Sequence, residues 1–245
     1  MTTRTDHGTA PPPLDLSEKG RRGGEVISLD RRLFMKFTAF GGCPNPQAAI
    51  DALAAAGVQA ALYLDVADPQ GIGIMAAHED PDFFVTTLRD VFNSKPFDDL
   101  EYKPEFDMLG RSYSVGYEPD LENVLLKRPV RRLLDPKYRW AVWYPLQRSK
   151  GFQRLPHEDQ MRILTEHGTL AKRFGEAGLA NDIRLACHGL DRNDNDFIVG
   201  LVGPTLHPLS AVVQEMRKTE QTAQYLDSLG PFFVGRVAWQ SPYEQ

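Results

Sequence analysis

The same order of elements is written twice in this chain of 245 residues, and that repetition limits its folds more than any single motif. Leu33 to Phe40 is a strand-like run ended by Gly41-Gly42. Asn45-Pro46 opens a helix through Ala56, with Gly57 at its C-terminal end. Val58–Val66 and Ile72–Ala77 read as strands separated by the turn Asp68-Pro69-Gln70-Gly71. A second helix runs from Asp80-Pro81 to about Phe92, and a strand near 106–116 closes the first half. The second half predicts a strand over 138–145, a helix over 156–175, strands over 182–187 and 196–202, a helix over 208–226 and a last strand over 232–239. The β-α-β-β-α-β order in duplicate is the ferredoxin-like unit twice over. The expected class is α+β, with the two units packed into one dimeric α+β barrel; two independent domains are the alternative. The divisions are a flexible tail over 1–29, a first unit over 30–119, a linker over 120–135 and a second unit over 136–241. The linker lacks the Gly/Ser composition of a flexible tether, which favours the fused barrel.

Bulk properties exclude several classes. With 42% hydrophobic and 25% charged residues, the chain has the balance of a soluble globular protein. A net charge of −5 and the absence of a basic stripe with interleaved aromatics argue against nucleic acid. No apolar run reaches membrane-spanning length, and the N-terminus has no signal-peptide core, so a cytoplasmic location is expected. Cys43 and Cys187 lie far apart without metal-ligand spacing, which points to a reducing compartment. The one local concentration of positive charge, Lys127-Arg128-Pro129-Val130-Arg131-Arg132, reads either as a solvated loop or as an anion site.

His167 is the leading candidate for a metal ligand. Ile163, Leu164, Leu170, Ala171 and Phe174 fall three, four and seven residues from it, so it points with the apolar stripe of its helix. A neutral imidazole on an apolar wall suits a haem iron; a buried His bonded to a carbonyl is the alternative.

The second half resembles the chlorite dismutase family, and within it the coproheme decarboxylases. The resemblance rests on five ordered motifs: Tyr144-Pro145-Leu146-Gln147-Arg148, Glu166-His167-Gly168, Gly189-Leu190-Asp191 followed by Asp196-Phe197, Glu215-Met216-Arg217, and Gly230-Pro231-Phe232-Phe233-Val234-Gly235. They span about residues 138–239; the first half fits in element order only.

The resemblance implies a homopentameric haem enzyme that uses hydrogen peroxide to convert two propionates of coproheme III to vinyls, giving haem b. It implies His167 as the iron ligand and Tyr144 as the phenol that carries the oxidising radical beside a propionate. It implies Arg132, Arg148 and Arg217 as propionate-binding residues, with Arg131 the fallback for Arg132. The distal position falls on Asp182, or on Arg184 if the alignment slips by two; period-two alternation puts both on one side of their strand. A distal Arg would keep chlorite chemistry open. His188 is either an outer partner of the site or a turn residue. Glu220 lies near the position of a Glu that takes a proton from the proximal His. Gln221 and Pro231 depart from the usual pattern. A chlorite-degrading or peroxidase-like enzyme and a non-catalytic haem-binding protein are the competing readings.

Overall fold

The computed structural model describes residues 13–243. In chain order its elements are β1 (Glu18–Arg22), β2 (Glu25–Leu29), β3 (Phe34–Gly41), α1 (Gln47–Ala55), β4 (Ala60–Asp65), β5 (Ile72–His78), α2 (Thr87–Phe92), β6 (Glu101–Arg111) and α3 (Arg128–Leu133). Then follow β7 (Trp140–Arg148), α4 (His157–Glu176), β8 (Asn181–Ala186), β9 (Phe197–Gly203), α5 (Leu206–Met216), α6 (Glu220–Gln224), β10 (Leu226–Leu229) and β11 (Phe233–Gln240).

A nine-stranded antiparallel sheet runs β10-β7-β11-β4-β5-β3-β6-β8-β9, and β9 pairs back onto β7, so the sheet closes on itself. Closure removes the free edges that an open sheet of this size would present. Within each half the strand order is the same: β6-β3-β5-β4 in the first and β11-β7-β9-β8 in the second. The molecule is thus a mixed α+β barrel with its helices outside.

Alternation along the strands sorts the side chains into three cores. Phe37, Tyr63, Met75, Trp143, Leu185, Ile198 and Phe233 fill the barrel interior. Gly200 lies opposite Trp143 in register, and a Cβ there would sit 2.2 Å from the indole ring. Only glycine lets Trp143 lie flat against β9. A second core, with Ala49, Leu53, Leu62, Ile74 and Leu88, lies under α1 and α2. A third, with Val142, Tyr144, Leu201, Leu209 and Val212, lies under α4 and α5.

Three expectations are corrected. Residues 18–29 of the supposed tail form the β1–β2 hairpin, while residues 1–12 lie outside the described residues. The hairpin is docked: Arg111 Nη1 donates to Glu18 Oε1 at 2.8 Å, and the Arg21 N–H donates to the Glu118 carbonyl at 3.1 Å. Gly20 makes the dock possible, since a Cβ there would be 2.3 Å from that carbonyl. The supposed linker is helical, a π-type turn over Asn123–Lys127 running into α3. Its Leu121, Leu125, Val130 and Leu133 pack into the barrel core, which makes it part of the wall. The helix expected over 208–226 stops at Met216. The Thr219 N–H and hydroxyl both donate to the Met216 carbonyl, and Leu226–Leu229 becomes a strand on β7.

Candidate functional site

The second-half sheet presents one row of side chains to α4. Tyr144 on β7, Val199 on β9 and Arg184 on β8 are register neighbours, as are Val142, Leu201 and Asp182. The intervening Trp143, Ile183 and Leu185 point into the barrel. Of the 20 residues of α4, only Ile163 is fully buried; His167, Gly168, Leu170, Ala171 and Phe174 are half-buried. The inner face of this helix is therefore not sealed. A Cβ on Gly168 would meet nothing within 4 Å, which leaves space beside His167.

His167 lies within electrostatic reach of Arg184, Asp182 and Arg148. Burial, then the Arg184 charge, lowers its pKa to about 4, so the imidazole is neutral near pH 7. Its Nδ1 is 3.4 Å from Thr219 Oγ1. The Thr219 hydroxyl proton is already committed to the Met216 carbonyl at 2.7 Å. The long contact to His167 is then one in which Nδ1–H donates, and Nε2 keeps a free lone pair. Glu220, near the family position of a Glu that partners the proximal His, does not bond His167. Arg162 takes its carboxylate with two bonds, at 2.6 and 3.1 Å. A fork-to-fork ion pair outcompetes a single bond to imidazole, and Thr219 replaces Glu220 beside His167.

Tyr144 is buried, and desolvation pushes its phenol above the ordinary tyrosine value. Its ring lies 4.6 Å from that of Phe232, in the closing Gly-Pro-Phe-Phe motif. Among the described residues its hydroxyl has no hydrogen-bond partner, yet it is not one of the sealed polar atoms. Its side chain belongs to the core under α4 and α5.

Asp182 and Arg184 do share a face, but they are bound to each other. Arg184 Nε is 2.8 Å from Asp182 Oδ2, and Arg132 Nη1 is 2.9 Å from Oδ1 and also donates to the Asp182 carbonyl. Burial raises the Asp182 pKa, but Arg184, Arg132 and Arg128 outweigh it and hold the carboxyl below its ordinary range. Arg148 is enclosed differently. Its guanidinium carbon is 4.4 Å from the Phe152 ring centre and 4.8 Å from that of Phe197, and its Nε is buried without a partner among the described residues. Asp196 bonds the Arg148 main-chain N–H at 2.7 Å and His188 Nδ1 at 3.0 Å, which makes His188 an exposed turn residue that braces the strand end. Arg217 is exposed where α5 ends and makes no side-chain bond among the described residues. Arg131 turns away towards Asn123.

Sequence reasoning missed two members of this cluster, Arg128 and Tyr113. Arg128 lies one helical turn before Arg132, so an i,i+4 reading of the basic run would have found it. Tyr113 follows β6 in a loop, where no periodicity exists to place it.

Among the described residues no three His, Cys, Asp or Glu side chains converge on a bare-metal site. A lone His beside several arginines is a donor set for a metal that arrives inside an anionic macrocycle, with the ring supplying the other ligands. The free Nε2, the open face at Gly168, the orphan Arg148 Nε and the surplus of guanidinium over carboxylate all fit an iron porphyrin with propionate arms. Cys43 and Cys187 are both free thiols, and no helix of the described residues is long and apolar enough to cross a membrane.

Residues 121–238 match the model of the chlorite dismutase family. The second half of the chain is thus similar to that family. A coproheme decarboxylase from Mycolicibacterium smegmatis (strain ATCC 700084 / mc(2)155) is 29% identical over 92 residues, which is 38% of this chain and 37% of that relative. The match thus spans little more than a third of the curated relative. Solved structures extend the likeness to the first half. A novel heme-binding protein from Thermus thermophilus aligns with a TM-score of 0.65 at 20% identity, over 84% of this chain and 91% of its own. A variant of chlorite dismutase from Candidatus Nitrospira defluvii aligns with a TM-score of 0.63 at 13% identity, over 86% of this chain and 93% of its own. At these identities the likeness carries the fold.

Proposed function

We propose that this protein binds coproheme III through His167 and uses hydrogen peroxide to decarboxylate two of its propionates, giving haem b. The observation that carries this reading is the Tyr144 hydroxyl, without a hydrogen-bond partner among the described residues and on the same sheet face as Arg184, whose charge reaches His167 on α4. Converting one propionate to a vinyl releases carbon dioxide, a proton and two electrons. One peroxide takes up two electrons and two protons and leaves as two waters. The iron porphyrin supplies the redox chemistry with peroxide when it is bound.

The chain does the rest. His167 presents Nε2, with its tautomer held by Thr219. Arg148, clamped between Phe152 and Phe197, meets a carboxylate with little reorganisation, and Arg217 offers an exposed second contact. Tyr144 would lose its phenolic hydrogen to the peroxide-driven oxidation and regain one from the arm to be cleaved, so the arm is oxidised and the phenol is restored. Burial keeps that proton on the oxygen near pH 7. Asp182 occupies Arg184, so the distal side lacks the free guanidinium that chlorite chemistry would use. A homopentamer, as the family resemblance implies, and a cytoplasmic location, as the sequence leads one to expect, belong to the same proposal.

Mass spectrometry of the porphyrin after stepwise peroxide addition tests it. The wild type should lose one carboxyl group and then a second. Tyr144→Phe should bind coproheme and retain all four. Equal product from Tyr144→Phe would sink the mechanism. Oxygen release from chlorite without coproheme turnover would move the assignment to a chlorite-degrading enzyme using Arg184.

A further inference from the structure

A cavity of about 30 Å³ lies where α3 and the loop after β6 meet β8, lined in part by Tyr113, Glu118, Arg128, Arg132, Asp182 and Arg184. Its volume suits one small polar group, such as a water or the head of a carboxylate. Three guanidinium groups face two carboxylates, and both carboxylates are spent. Asp182 is bound by Arg132 and Arg184. Glu118 accepts the main-chain N–H groups of Val115 and Gly116 at 3.0 Å and of Tyr117 at 3.1 Å, which shapes the loop. Arg128 remains. It is half-buried, one turn before Arg132 on the same helix face, and makes no hydrogen bond or ion pair among the described residues. Tyr113 adds a hydroxyl that takes no partner among the described residues. Burial and the neighbouring Arg132 both disfavour the Arg128 charge. An anion relieves both effects.

The structure assigns this cavity as a carboxylate-binding site in which Arg128 is the anchoring donor and Tyr113 the second. The ligand is a carboxylate, either a propionate arm of the porphyrin or a small free acid. The first source rests on the function proposed above; the site itself does not.

Two titrations on the full chain test it. Sodium propionate is added to porphyrin-free protein against sodium chloride at equal ionic strength, with the Tyr113 ring followed by NMR. Saturable binding is expected in the wild type, weaker by about tenfold in Arg128→Gln and partly restored in Arg128→Lys. Ferric coproporphyrin III and its tetramethyl ester are then titrated into the same proteins. Loss in Arg128→Gln for the tetra-acid but not the ester identifies the porphyrin arm as the ligand. Loss for propionate alone identifies a free acid. Propionate that does not saturate, or that binds Arg128→Gln as it binds the wild type, overturns the assignment. If Arg128→Gln melts early, the wild-type curve and Arg128→Lys decide. Failure of coproheme to bind would strike the proposed reaction while leaving the propionate result standing.

Discussion

α1 and α4 hold the same place in two copies of one element order, yet they cover their sheets differently. Beneath α1 the packing is apolar but for the buried Thr38 on β3, with Ala49 and Leu53 wholly excluded from solvent. Beneath α4 the apolar side chains are interrupted by Asp182 and Arg184, with Arg148 at the end of β7, and Ile163 alone on the helix is fully buried. The first face is built to be filled by its own side chains. The second is left short of its own contacts, at a cost in stability that the first face and the barrel interior offset.

This contrast can be broken at several strengths. The largest effect is expected from His167→Ala. Outer partners of metal ligands are worth about 10–100-fold in affinity, and losing the ligand itself should exceed that. A Soret titration with ferric coproporphyrin measures it, and an unchanged spectrum would remove His167 from the site. Next, Leu53→Ala should cost about 2–5 kcal/mol in urea unfolding, as a truncation in a filled core does. Leu170→Ala on α4 should cost roughly 1 kcal/mol, because its surroundings are already partly open. Equal costs would mean the two helices are packed alike.

Asp182→Asn gives a smaller, pH-dependent change. The folded carboxyl titrates below its ordinary value, so its stabilising contribution is complete above the usual carboxylate range and is lost as pH falls through the depressed folded value. The variant should flatten the acid limb of the stability curve by about 1 kcal/mol at most, the scale of a partly exposed ion pair. An acid limb steeper than wild type would contradict the assignment. The least effect is expected from Thr219→Val. The contact to His167 is 3.4 Å, so porphyrin affinity should drop severalfold at most while the visible spectrum shifts.

What the sequence made legible follows from periodicity. Period-two runs placed β7, β8 and β9 to within a few residues and put Asp182 and Arg184 on one face. The 3.6-residue stripe turned His167 inward. Signals that depend on tertiary contact were not legible. Glu18–Leu29 is too polar to announce a hairpin; its order comes from Arg111 and the Glu118 carbonyl. Arg128–Leu133 carries a proline among three arginines, yet Pro129 sits in the first turn, where its missing N–H costs nothing. The pairing of Asp182 with Arg132 crosses 50 residues of chain, and no local pattern encodes it. Nor does one encode the choice of Arg162 by Glu220.

The two seams that close the barrel are unequal. β4 and β11 are laced together from Asp65↔Gly235 to Ala61↔Gln240, whereas β6 meets β8 at Arg111↔Ala186 alone. Beyond that single bridge, the wall beside Asp182 and Arg184 is made of side chains from α3 and the Tyr113–Glu118 loop. In the language of hydrogen exchange, this line is where the ring has the least free energy to lose by parting. Amides of β8 on the β6 side should exchange well before those of β4. On the proposed function, a rigid planar guest beneath α4 would meet a yielding margin on one flank and a stitched one on the other, which would give its approach a direction.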